Sequence, residues 1–338
     1  MNRLLSGAVL VAAMTALAAV PGQAQTAVKF ALDWQFEGPA APYFVALDKG
    51  YYKDEGLEVT VDAGQGSVQN IGRIAAGTYP IGFADVNSLI KFRDQNPDAR
   101  VMAVLMVYDK PPFSIVSLAR AGIEGPKDLE GKKLGAPAPD GAYAQWPAFV
   151  QENGIDASKV TIENIGFPVR EPMLAAGDVD AITGFSFSSF FNLMSKGVPA
   201  SDIKVMLMSD HGLDLYGNVI IVNPDYAAAN PEVVKGFVKA TIRGWQDTAK
   251  DPEGAIKSLM TRNEIGNATT ELERLKMCLR DNVETEWVKA NGFGGVDEAR
   301  FDSAMKQIAV TYQFKNPDMK WQDIFTSEYL PAADERRL

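Results

Sequence analysis

From Val28 onward, short runs rich in β-formers alternate with longer helical stretches, and the same layout then occurs a second time. Val28 to Leu32, Leu57 to Asp62 and Ile81 to Ala84 read as strands, with helical stretches at Ala41 to Glu55 and Ser67 to Ala76 between them. After the extended segment Val101 to Leu118, the second series runs through Lys133 to Ala136, Tyr143 to Asn153, Val160 to Ile165, Glu171 to Ala176 and Asp180 to Gly184. Alternation of this kind predicts a mainly parallel sheet flanked by helices, so the α/β chain should build two such lobes. An internal echo aligns them. Ile74-Ala75-Ala76-Gly77 and Leu174-Ala175-Ala176-Gly177 each end a helix with Gly where a left-handed cap is needed, and each is followed by a short strand.

Two segments connect the lobes: Val104 to Leu118, carrying Pro111-Pro112, and Gly217 to Pro224, carrying the strand-like Asn218 to Val222. Two crossover strands between two lobes predict a hinge. Lobe one is expected over 25–110 and 223–338, and lobe two over 111–222. Helical stretches at Pro231 to Lys250 and Glu271 to Asn291 are expected to pack back on lobe one, and pairs such as Glu271/Lys276 and Glu284/Lys289 read as solvated-face charges without function. At the amino terminus, Arg3, the apolar run Leu4 to Val20 and the small-x-small site Gly22-Gln23-Ala24 predict a cleaved signal peptide over 1–24. No Cys follows the run, the single one being Cys278, so lipid attachment is not expected and the product should diffuse freely in a periplasm.

Charge and composition narrow the function. The chain of 338 residues carries a net charge of −10 with no basic block, which removes the usual source of affinity for nucleic acid or anionic lipid. Cutting after Ala24 removes Arg3 and no acid, making the balance one unit more negative. One Cys and one His leave almost no material for disulfides, zinc sites or a Cys–His pair, and no nucleophile elbow or metalloprotease motif is present. No catalytic residue, metal or cofactor is therefore expected.

In doubly wound lobes, ligands meet the carboxyl ends of strands. The junctions there are Asp33 to Gly38, Gly64 to Ser67, Asp85 to Ser88, Pro137 to Tyr143, Gly166 to Glu171 and Phe185 to Ser189. Trp34, beside Asp33 and Glu37, either plugs the core or stacks on a ligand. Gly64-x-Gly66-Ser67 lacks the rest of a dinucleotide fingerprint or P-loop, so it reads as a tight turn with Ser67 as N-cap and N–H groups able to hold a ligand oxygen. Asp85 is a natural N-cap or a ligand contact; Asn87 is a polar finger. Tyr108, Tyr143 and Tyr216 either pack on the sheets or look into the cleft, and Phe185 sits at the last junction. Arg170 is the one cation at these junctions, paired with Glu171 or reserved for an anionic ligand.

Leu32-Asp33-Trp34, the block from Tyr43 to Val59 with Asp48-Lys49-Gly50-Tyr51-Tyr52, Gly64-x-Gly66-Ser67, Gly82-Phe83-Ala84-Asp85, Asp128-Leu129-x-Gly131-Lys132-Lys133 and Gly177-Asp178-Val179-Asp180-Ala181 occur in that order. From about Val28 to Asp251 this resembles the solute-binding family of ABC importers that includes binders of thiamine pyrimidine precursors, alkanesulfonates, taurine and nitrate. The resemblance implies the two-lobed periplasmic-binding architecture, a small-molecule ligand and a monomer serving an inner-membrane permease. It places Trp34 as the stacking aromatic, Gly66 and Ser67 as donors, Asp85 and Asn87 at the third junction, and Asp140 and Tyr143 from lobe two. The opening Leu-Asp-Trp is similar to that of the pyrimidine-precursor binders, although Phe185-Ser186-Phe187-Ser188-Ser189 lacks the Glu those proteins tend to carry there. Eukaryotic relatives that synthesise the pyrimidine carry a cysteine cluster, whereas this chain has Cys278 alone. A planar, aromatic polar solute such as a pyrimidine-like heterocycle is favoured; a small anion (sulfonate, taurine, nitrate, carboxylate) or an enzyme acting on such a heterocycle is the alternative.

Overall fold

The computed structural model describes residues 25–338; the expected leader lies outside them. Strands β1 (Thr26–Ala31), β2 (Leu57–Asp62), β3 (Ile81–Asp85), β4 (Met102–Met106) and β10 (Asn218–Val222) form one five-stranded sheet in the order β2-β1-β3-β10-β4. Strands β5 (Phe113–Leu118), β6 (Lys133–Ala136), β7 (Thr161–Asn164), β8 (Ala181–Phe185) and β9 (Ile203–Leu207) form the second, in the order β7-β6-β8-β5-β9. The two orders match position for position. In each sheet four strands point one way and one runs against them: β10 is antiparallel to β3 and β4, and β5 to β8 and β9. The reversed strand is always the one the chain enters from the other lobe. It starts at the cleft and so must run away from it, whereas its neighbours all end there.

That placement moves one expected boundary. Residues 218–222, assigned above to lobe two, complete the first sheet because their backbone bonds go to β3 and β4. The crossovers themselves lie side by side, with Val107 and Tyr108 N–H donating to Asn218 O at 2.9 and 3.0 Å and Gly217 N–H to Tyr108 O at 2.9 Å. Gly217 permits this contact, since a Cβ there would stand 2.7 Å from the Tyr108 Cβ.

The repeated helix ending is present in both lobes. Helices Ser67–Ala75 and Phe167–Ala176 stop before Gly77 at φ +70° and Gly177 at φ +87°, and the chain then enters β3 and β8. In the first lobe, helix Pro231–Lys250 buries Val234, Phe237, Val238, Ile242 and Trp245 in a core shared with Phe30, Tyr43 and Phe44. The tail is not confined to lobe one. Helix Ala268–Cys278 also packs on helix Ser186–Ser195, and Glu298–Tyr312 on Trp146–Asn153, so both touch the second lobe. Among the described residues no helix is long and apolar enough to cross a membrane.

Candidate functional site

The carboxyl ends of β1, β2, β3, β6, β7 and β8 face one another, and their loops line a cavity between the lobes, where ligands of doubly wound sheets usually bind. Seven aromatic side chains line it: Trp34, Tyr43, Phe83, Tyr108, Phe167, Phe185 and Phe187. Across the cleft, Trp34 meets the Phe167 ring at 4.7 Å and 67°. The lining contains no His, Cys or Lys among the described residues.

Eight of the twelve residues expected at the site line this cavity: Trp34, Glu37, Gly66, Ser67, Tyr108, Asp140, Arg170 and Phe185. Four do not: three are engaged by a local or distant partner, and one faces another groove. Asp85 is fully buried and caps helix Val86–Gln95, accepting from Asn87 N at 3.1 Å, Ser88 N at 2.7 Å and Ser88 Oγ at 2.6 Å. Asn87 donates through Nδ2 to Asp85 Oδ1 and to Tyr216 O at 2.8 and 2.7 Å. The Tyr216 ring packs on Phe301 at 5.4 Å while its hydroxyl accepts from Asp297 N at 2.7 Å. Tyr143 lines a neighbouring groove with Lys91, Phe92 and Trp146.

Ser67 differs from its expected role. It is the first residue of its helix, Gly66 occupies the cap position, and the Ser67 hydroxyl donates instead to Asp33 Oδ2 at 2.7 Å while accepting from Asp85 N at 3.0 Å. Asn218 Nδ2 donates to the same Asp33 oxygen at 2.7 Å, which ties the second crossover to the cavity wall. Burial pushes the Asp33 carboxyl up to about 7 against the pull of these two bonds, with a small addition from Asp85. Burial likewise raises Asp85 to about 6. Asp140 is raised by burial and partly restrained by Arg170; it accepts from Thr183 Oγ1 at 2.8 Å and caps helix Gly141–Ala144.

These shifts fix a sign for stability against pH. An acid whose folded value lies above its unfolded one keeps a proton that the unfolded chain has released, so its contribution is intact below about pH 4 and is lost as pH rises to about 7. We expect urea-unfolding stability of the wild type to fall relative to Asp33→Asn by about 1 kcal/mol per pH unit between pH 5 and pH 6.5. Parallel pH profiles for the two proteins would show that the Asp33 carboxyl is ionised throughout.

The two buried arginines beside the cavity are already paired with glutamates. Arg170, 3% exposed, directs Nε and Nη2 to Glu171 Oε1 at 2.9 and 2.7 Å. Burial opposes its charge, but Glu171 and Asp140 outweigh burial and hold it above the ordinary value. Glu37 accepts from Trp34 Nε1 at 3.2 Å and Ser188 Oγ at 2.5 Å and pairs with Arg274 at 3.2 Å. Arg274 is thus a second buried cation beside these junctions, unanticipated because it lies in the tail helix. Its partner Glu271 is buried too, accepting from Gly38 N at 2.6 Å, so that residue is not the solvated-face charge expected. Lys276 pairs with Glu253 and Glu273 instead, and Lys289 with Glu286. Phe187 and Ser188, in the last expected junction, line the cavity too, whereas Tyr43 and Phe83 were not expected there: Tyr43 lies inside a helix and Phe83 inside a strand, where sequence marks burial but not the face presented to a cleft.

Comparison with known proteins follows the same outline. Over 300 residues the chain is 25% identical to riboflavin-binding protein RibY of Chloroflexus aurantiacus, covering 87% of this chain and 83% of that protein. It is 24% identical over 311 residues to the formylaminopyrimidine-binding protein of Halalkalibacterium halodurans, covering 90% and 91%. To the 4-amino-5-hydroxymethyl-2-methylpyrimidine phosphate synthase of Aspergillus parasiticus it is 25% identical over 336 residues, covering 92% of each. Named binding proteins and named synthases therefore both occur among its relatives. In fold it is similar to the periplasmic nitrate-binding protein NrtA of Synechocystis PCC 6803 (TM-score 0.71, 12% identity, 92% and 91% covered). The alkanesulfonate-binding protein SsuA of Xanthomonas axonopodis pv. citri also shares the fold (TM-score 0.67, 15% identity, 85% and 92% covered). The profile of the family described as NMT1/THI5 like matches residues 39–255, a span that runs through both lobes and most of the cavity wall, and the chain belongs to that family.

Proposed function

We propose that this protein is the periplasmic substrate-binding component of an ABC importer, a monomer that closes on one small planar heterocycle bearing N–H donors and delivers it to an inner-membrane permease. The observation that carries this reading is the cavity wall, which combines seven aromatic side chains with Asp33 and Asp140 while Glu171 already meets the charge of Arg170. Ring faces favour a flat solute, and carboxyl oxygens accept from amino or ring N–H groups. A sulfonate or nitrate would have to compete with Glu171 for the guanidinium. Two relatives are named for binding riboflavin and a formylaminopyrimidine, both flat nitrogen heterocycles.

The synthase relatives give a second reading, turnover of a pyrimidine-type heterocycle, and one experiment separates the possibilities. Thermal melts are run with riboflavin, formylaminopyrimidine and 4-amino-5-hydroxymethyl-2-methylpyrimidine, and with taurine, an alkanesulfonate and nitrate. A higher melting temperature with at least one heterocycle and none of the anions, with the heterocycle recovered chemically unchanged, is the expected result. A rise with the anions alone would reverse the ligand assignment, and conversion of the heterocycle would make the protein an enzyme.

A further inference from the structure

Behind the cavity, Arg274 joins the two lobes through hydrogen bonds from one guanidinium. It stands on helix Ala268–Cys278, which packs on the Glu37 to Ala40 turn of lobe one, and its side chain is 3% exposed. On that side Nε and Nη2 bind Glu271 at 3.0 and 3.4 Å, and Nη1 pairs with Glu37 at 3.2 Å. Toward lobe two, Nη1 donates to the carbonyls of Phe187 and Ser188 at 3.0 and 3.1 Å, and Nη2 to Asn192 Oδ1 at 3.0 Å, all in the helix Ser186–Ser195. The Ser188 hydroxyl closes the circuit on Glu37, whose other oxygen holds the Trp34 indole.

We propose that Arg274, which does not itself line the cavity, is a positioning residue that latches the lobes shut and fixes the Trp34 platform through Glu37, so that closure and platform formation are one event. The inference rests on the solute-binding reading of the cleft. An open cleft takes Phe187 O, Ser188 O and Asn192 Oδ1 away from the guanidinium while leaving Glu37 and Glu271 beside it. The lobe-two contacts therefore exist in the closed state alone and shift the population toward it. The planar fork of five donors is what reaches both lobes at once; a lysine ammonium carries the charge but concentrates its donors at one point.

The test uses spin labels at Thr78→Cys and Asp178→Cys, exposed positions just past the two equivalent glycine caps, with the native Cys278 buried and unlabelled. Interlobe distances are measured by pulsed electron resonance with no solute added, so a protein that binds none of the heterocycles still answers the question. The wild-type background is expected to show a closed-distance component that Arg274→Met reduces by about tenfold or more, in keeping with the loss of one partner from a buried charge network. Arg274→Lys should fall between them, and Asn192→Ala, which removes a single acceptor from a half-buried site, should give a smaller loss in the same direction. Circular dichroism establishes that each variant is folded; should Arg274→Met fail to fold, Asn192→Ala and Arg274→Lys decide. A wild type without the closed component, or folded variants with the wild-type distribution, would overturn the latch.

Discussion

Arg170→Ala is expected to lower unfolding stability by about 3–5 kcal/mol, the usual cost of removing one member of a buried charge pair. Arg170 and Glu171 are 3% and 5% exposed, and Asp140 lies close enough to help hold the guanidinium charged. Deleting the cation leaves Glu171 without its partner and takes from Asp140 the positive charge that restrains its upward shift. The double variant Arg170→Met, Glu171→Gln removes both charges of the pair, and it should recover part of the loss because Glu171 is then no longer left as an unpaired ion, while Asp140 still lacks the Arg170 charge. Urea unfolding at pH 7 measures all three proteins. A loss below about 1 kcal/mol for Arg170→Ala would mean that water already solvates the pair, as at an exposed ion pair. The same variant also separates structure from ligand recognition. If Arg170 served chiefly to hold an anionic solute, its loss would appear in affinity while stability stayed near wild type.

Trp34→Ala is expected to weaken binding of whichever heterocycle raises the melting temperature by roughly 30- to 1,000-fold, or about 2–4 kcal/mol, the range for an aromatic anchor in an enclosed pocket. The indole is half-buried, faces Phe167 across the cleft, and has its N–H committed to Glu37. It therefore offers a ring face to a solute in an orientation already set by the protein. Trp34→Phe keeps a face and loses the tether, so its affinity should fall between wild type and Trp34→Ala. Both variants should unfold cooperatively near the wild-type midpoint, since the core below is held by Phe30, Tyr43 and Phe237. Calorimetric titration with affinity within about threefold of wild type would remove Trp34 from the site.

The parts of this architecture that can be read from the chain are those set by neighbours in sequence. Gly77 and Gly177 cap helices because a left-handed turn needs them, and the strands that follow are fixed by the same few residues. The strand ends then locate the cleft, which is why Trp34, Ser67, Asp140, Arg170 and Phe185 are found around it. Asp85 shows where this reasoning stops. An Asp at a strand-to-helix junction suits a cap and a ligand contact equally, and the choice is made by Ser88 and by the Asn87–Tyr216 contact, which spans 129 positions. Glu271 and Arg274 look like an exposed i,i+3 pair until Gly38, 233 residues before Glu271, and the start of helix Ser186–Ser195 are brought onto them.

The reversed strand at the centre of the first sheet governs how the chain can assemble. β3 and β4 are not paired with each other; β10 fills the slot between them, and it is made only after the whole of the second sheet. Residues 113–207 contain every strand of that second sheet, so the later lobe can fold as one continuous stretch while the earlier one waits with two unpaired edges. Because β3, β10 and β4 close only through non-local pairing, the first lobe is expected to form more slowly than the second, and its open edges are where misassembly between chains would then begin.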